Sequence, residues 1–129
     1  MVDSRPLTPD EETALENGLD LAARLAGEPL PLKVWQVQAL YDVFLEEKIE
    51  DPDSIIALGL AFGRLFFELL PVEWLRVADE WGAETSLARK GTKAYCHPIS
   101  MIQKRLERSE QVDLKWLSEE TARRLMKLC

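Results

Sequence analysis

Histidine and cysteine are nearly absent from this chain of 129 residues: His97 is the single histidine, and Cys96 and Cys129 are the two cysteines. Two thiols cannot build a disulfide framework, and one imidazole with two thiols cannot complete a four-ligand zinc site. No metal and no cofactor is therefore expected. Cys129, as the last residue, carries no prenylation motif, and its pairing with Cys96 is disfavoured in a reducing compartment. Positive charge is also short. Sixteen Lys and Arg stand against 23 Asp and Glu, a formal net charge of −7. Affinity for nucleic acid comes mainly from excess Lys and Arg, so a general nucleic-acid binder is not expected. Gly-rich phosphate loops, G-x-S-x-G nucleophile turns and metal-spaced histidine clusters are missing. The start, MVDSRPLTPDEE, is acidic with no apolar stretch for export, and a cytoplasmic location is the expectation.

A long unbroken apolar run is missing too. Residues 55–70 read IIALGLAFGRLFFELL, apolar nearly all round but interrupted by Arg64 and Glu68. A membrane span needs about 20 apolar residues, and a mid-span Arg costs roughly 2.5–3.5 kcal/mol. The segment is read instead as a buried central helix. Gly59 and Gly63, with Ala57 and Ala61, remove bulk at four-residue spacing, so that another element can approach the backbone. Two mid-helix glycines cost about 1 kcal/mol each relative to Ala, and that packing must offset the cost.

What is present is globular: 47% apolar and 30% charged residues, which is not the composition of a disordered chain. The length fits one domain, placed at 8–129, with 1–7 as a disordered tail. Thr8, Pro9 and Glu11 form a T-x-x-E capping box for a first helix to Ala26, ended by Gly27 in a left-handed cap. A second helix is expected from about Pro31 to Glu47, and a third from Pro52, capped by Asp51, to Leu70. The period then changes. EWLRVADEWG is rich in strand formers, Ala83–Ser86 reads as a polar turn, and Leu87–Lys90 and Thr92–His97 read as further short pieces. Two helices close the chain, one opened by Pro98 and running from Ile99 to Ser109, and one capped by Asp113 with Leu114, Leu117, Leu125 and Leu128 as its stripe. The fold class is helix-rich α+β: three N-terminal helices, a small antiparallel sheet of two to three strands and two C-terminal helices.

Charge is unevenly spread. Residues 1–84 hold 18 acidic and 6 basic side chains, and residues 85–129 hold 5 acidic and 10 basic. The basic third is read mainly as a solvated face in which Glu119 supports Arg123 and Glu120 supports Arg124 at i, i+4. The acidic run from Glu46 to Asp53 lacks the calcium-loop pattern. His97 lies at a strand-to-helix junction, where a catalytic base could project. Its strand neighbour Cys96 points to the opposite face, so the two cannot form a nucleophile–base pair. The structural alternative for His97 is a cap on the following helix. Asp79 and Glu80 are the carboxylates available for acid–base work, with a turn-bonded Asp79 as the structural alternative. Trp35, Trp74, Trp81 and Trp116 are expected in the core. Trp74 and Trp81 are an odd number of residues apart, which turns one of them outward as a partner contact.

The series LGLAFGRLFFELL, EWLRVADEWG and KAYCHPISMIQKRLERSEQVDL resembles a family of small bacterial proteins catalogued as domain of unknown function 3806. The shared features fall on Gly59 and Gly63, on Asp79, Glu80, Trp81 and Gly82, and on Pro98, Met101, Ile102, Lys104, Arg105 and Glu107. The likeness covers roughly Trp35 to Leu114. It implies a grouping without an activity, so no catalytic residue is carried over.

Two functions from different classes follow. The first is a non-enzymatic protein-binding module, an immunity-like neutralising partner of a basic protein, steered by the acidic first two thirds. Trp74, Trp81, Arg89 and Lys93 are its candidate binding residues. The second is a small enzyme using His97 with Asp79 or Glu80 and an anion anchor at Arg89 or Lys93. The balance leans away from an enzyme, and the sequence assigns no oligomeric state.

Overall fold

The computed structural model describes residues 2–127. Leu128 and Cys129, and with them the expected end of the last stripe and the Cys96–Cys129 pair, lie outside the described residues. The fold is α+β, with five α-helices and a four-stranded antiparallel sheet among the described residues. In chain order these are β1 (Asp3–Pro6), α1 (Pro9–Ala26), α2 (Val34–Glu47), α3 (Pro52–Arg64), β2 (Val72–Asp79), β3 (Gly82–Arg89), β4 (Tyr95–Cys96), α4 (Pro98–Glu107) and α5 (Leu114–Lys127). The strands lie side by side in the order of the sequence. Among the described residues no helix is long and apolar enough to cross a membrane.

The capping chemistry acts as its residue types dictate. Thr8 Oγ1 accepts from the Glu11 N–H, and the Glu11 carboxylate accepts from the Thr8 N–H. Gly27 ends α1 at φ 68°, and Asp51 accepts from the Ser54 N–H at 3.0 Å to start α3. The second helix begins at Val34 rather than Pro31, because the Lys33 backbone is still extended and its N–H is held by Gln36 Oε1. The third is shorter than expected. It gives way at Leu65–Glu68 to a 3-10 turn, and Pro71 bars the chain from continuing as helix beyond Leu70. Phe62 and Phe66 are wholly buried and meet edge to face, while Leu69, beyond the helix, is 39% exposed.

The sheet departs from expectation in two places. Asp3–Pro6, taken as a tail, pairs with Leu75–Ala78 of β2. DSRP has no apolar alternation to announce a strand. Its place is set by the ladder to β2, and the Arg5 guanidinium donates to both oxygens of Glu11 at 2.7 and 3.0 Å. Ala83–Ser86, taken as a turn, belongs to β3. The turn is the two residues Glu80 and Trp81, closed by pairing of Asp79 with Gly82. Gly82 takes φ 130°, a backbone that L side chains rarely adopt, and Asp79 Oδ1 accepts from the Trp81 N–H at 2.9 Å.

The glycine spacing on α3 does what bulk removal permits. A Cβ added at Gly59 would lie 2.6 Å from Ile99 Cα, and one at Gly63 would lie 2.6 Å from the Trp74 ring and 3.0 Å from Pro98. The first turn of α4 therefore rests against the α3 backbone. On the far side, α2 fastens the segment leading into α5. Gln38 Nε2 donates to the Val112 carbonyl at 3.0 Å, Gln38 Oε1 accepts from Leu114 N–H at 2.7 Å, and the Tyr41 hydroxyl donates to the Glu110 carbonyl at 2.6 Å. Burial pushes the Tyr41 hydroxyl up to about 12.

Candidate functional site

Sheet register decides which polar side chains meet. Trp74, Leu87 and Cys96 are in line across β2, β3 and β4 and pack on the helical core. By alternation Val77, Asp79, Glu84 and Ser86 turn to the other side. His97 reaches that side from the end of β4. Its Nε2 lies 3.0 Å from Asp79 Oδ2, and its Nδ1 lies 2.5 Å from Ser86 Oγ and 3.1 Å from Glu84 Oε1. Ser100, in the first turn of α4, donates to both Glu84 oxygens at 3.0 Å. The Tyr95 ring packs edge-on at 5.2 Å from the imidazole. One imidazole is thus clasped between two carboxylates, joining the β2–β3 hairpin to α4.

The electrostatics follow from that clasp. The Glu84 hydrogen bond raises the His97 pKa above its ordinary value; partial burial opposes this and Asp79 reinforces it. Asp79 is held below the usual carboxylate range, first by the Trp81 N–H and then by His97. In the imidazolium form Nε2–H donates to Asp79 and Nδ1–H is shared between Ser86 and Glu84. The Ser86 hydroxyl then donates to the Glu84 carbonyl. Every polar atom of the ring has a partner in that arrangement. Ser86 is fully buried, and the His97 side chain is 23% exposed. Chemically the cluster can hold a proton and a shape, but its serine cannot meet a substrate while the fold is closed. Among the described residues no group of three His, Cys, Asp or Glu could hold a metal ion.

Of the expected catalytic candidates, His97 and Asp79 are brought together and Glu80 is not. Glu80 is exposed in the two-residue turn. His97 sits at the N-cap position of α4 yet makes no side-chain cap hydrogen bond, because its ring is committed to the sheet. Cys96 is partly buried, and burial pushes its thiol to about 12, with the Glu84 charge adding to the effect. It therefore carries almost no thiolate. Glu84, Ser86 and Ser100 were not singled out from sequence. Alternation counted outward from a two-residue turn would have put Glu84 and Ser86 beside Asp79.

The binding candidates do not converge. Trp74 is half-buried, tilted against Phe67 with ring centroids 5.9 Å apart. It lines a cleft of about 430 Å³ between α1 and the sheet, with Phe67, Leu75 and Lys90. Trp81 stands at the hairpin tip and is 88% exposed. Arg89 donates to the Met126 carbonyl at 2.9 Å, tying β3 to the end of α5. Lys93 is exposed between β3 and β4. Of the four tryptophans expected inside, Trp35, Trp81 and Trp116 are exposed, their indoles left on the surface while Phe and Leu fill the core. The Glu119–Arg123 pair is replaced by Glu120, which holds both Arg123 and Arg124.

A second concave region contains none of these residues. A cavity of about 530 Å³ opens where the C-terminal end of α2, the start of α3 and the end of α4 meet. It runs into a shallower trough along α2 and the segment before α5, with Leu45 and Ser109 common to both. Its borders include Lys48 and Ser109, which end α2 and α4 in left-handed backbone at φ 52° and 51°.

Comparison with known proteins places the chain in a group. A family model described as "Domain of unknown function (DUF3806)" matches residues 36–117. No curated protein matches the sequence. A crystal structure from Bacteroides thetaiotaomicron has the same fold, with a TM-score of 0.70 at 14% identity over 97% of this chain. The match takes up 47% of that chain, so the present sequence spans about half the length of its structural relative.

Proposed function

The chain belongs to the family of the domain of unknown function (DUF3806), and from that premise we propose that it is a non-enzymatic protein-binding module, an immunity-like neutralising partner of a basic protein, acting in the bacterial cytoplasm. The observation that carries this reading is uncompensated negative charge. Of the 18 carboxylates in residues 1–84, only Glu11, Glu68, Asp79 and Glu84 take part in an ion pair, which leaves 14 without one among the described residues. Such a field attracts and orients a cationic surface and speeds encounter with it. Trp81 at the hairpin tip is an accessible contact for such a partner. Affinity capture from the source organism at low and high ionic strength tests the reading. A cationic protein held at low salt and released at high salt is the expected result; capture of nothing at any salt overturns it.

The line Asp79–His97–Ser86 favours a second reading, a small enzyme built on His97. It needs Ser86 to be uncovered. Covalent labelling of Ser86 by a fluorophosphonate probe would put the enzyme in place of the binding module.

A further inference from the structure

Resting on the protein-binding reading, we propose that the cavity between α2, α3 and α4 is the docking site, and that its occupant is a cationic amphipathic segment of a partner protein. The floor of the cavity is apolar. Leu45, Ile49, Ile55 and Leu106 are half-buried around it, and Ile56 is 41% exposed. These side chains belong to three different helices or their ends and face one another across open space. The volume of about 530 Å³ lies within the range of sites that take up small ligands or a few large side chains.

The border of the same surface is acidic. Glu50 and Glu107 edge the cavity, and Asp42, Glu46 and Asp113 edge the trough that continues it. All five are exposed, and among the described residues none is in an ion pair. Among the described residues Lys48, at the cavity, is the one basic side chain lining either surface. An apolar floor with a carboxylate border fits a segment whose apolar side chains enter the cavity while its Lys and Arg heads meet the border. An anionic peptide or a nucleic-acid backbone would be repelled by that border. Asp42, Glu107 and Asp113 each accept one hydrogen bond from the chain, but an uncharged apolar ligand would leave all five carboxylates without a cationic partner.

The test uses a fluorescent synthetic helix of Leu and Lys at helical spacing, a matched helix of Leu and Glu, and anisotropy titration against the full chain. The Leu/Lys helix is expected to bind and the Leu/Glu helix is not. Ile56→Asn removes exposed floor with little effect on folding, and Glu50→Lys with Glu107→Lys reverses the border. Each is expected to weaken the Leu/Lys helix by about tenfold or more. Glu16→Lys with Asp20→Lys makes the same charge change on the exposed face of α1 and is expected to cost less than about threefold, from the general field alone. Equal losses from the α1 and border reversals would overturn the docking site while leaving the wider acidic reading in place. No binding of the Leu/Lys helix by the wild-type chain, with its melting temperature unchanged, would also overturn the site.

Discussion

At the scale of single residues, His97 is the side chain whose role most depends on its neighbours. A lone histidine after a strand invites a catalytic reading, because its ordinary pKa lies near neutrality. Here both ring nitrogens are committed, to Asp79 at 3.0 Å and to Ser86 and Glu84 at 2.5 and 3.1 Å. The residue is better described as a fastener between the hairpin and α4, in a setting that favours its protonated form. Its pKa is raised in the fold, above the ordinary 6.5, by the Glu84 hydrogen bond against the opposing effect of burial. The folded form therefore binds this proton more tightly than the unfolded chain does. The stabilisation is fully present below about pH 6.5 and fades as pH rises through the raised value. Because His97 is the only histidine, one imidazole resonance followed by NMR gives its folded pKa directly, and a value at or below 6.5 would contradict the clasp. Urea unfolding gives the complementary measurement. The stability gap between the wild type and His97→Asn is expected to be wider near about pH 6 than near about pH 9.

At the scale of elements, what the sequence made legible was whatever rests on local chemistry. The capping box at Thr8, Gly27 beyond α1, Asp51 before α3 and the small residues of α3 each carry their meaning within one turn of helix. What stayed hidden rests on pairing at a distance. β1 is DSRP, and nothing in four polar residues says that a free edge of β2 awaits them. The Glu80–Trp81 turn could not be placed while Ala83–Ser86, small and polar, looked more like a turn than a strand, and with that misplacement Glu84 and Ser86 dropped out of the site. The close approach at Gly59 allows a sharp test. An alanine there would gain about 1 kcal/mol of helix propensity. Its Cβ would sit 2.6 Å from Ile99 Cα, a backbone atom that cannot swing aside. Overpacking of this kind costs typically 1–3 kcal/mol. Gly59→Ala is therefore expected to lower stability by up to about 2 kcal/mol in chemical denaturation, and an increase would mean that α4 does not lie on α3 as described.

For the whole molecule, charge organisation has a consequence for stability as well as for binding. The helices and hairpin of residues 1–84 carry a balance of −12, and the remainder carries +5. Few of the acidic groups are matched by a nearby base. Repulsion within the acidic two thirds opposes compaction. The ion pairs that salt would weaken, such as Arg5–Glu11 and Arg64–Glu68, lie at the surface, where such pairs contribute little. Screening should therefore remove more repulsion than attraction. Raising NaCl from about 0.01 M to about 0.15 M shortens the screening length from about 30 to about 8 Å, less than the spread of charges over a domain. The melting temperature is expected to rise by about 3 °C, the shift produced by about 1 kcal/mol in a chain of this size. Scanning calorimetry at the two salt concentrations checks this at neutral pH, where the carboxylates are ionised. A fall in melting temperature with salt would mean that attraction among the charges outweighs repulsion within the fold.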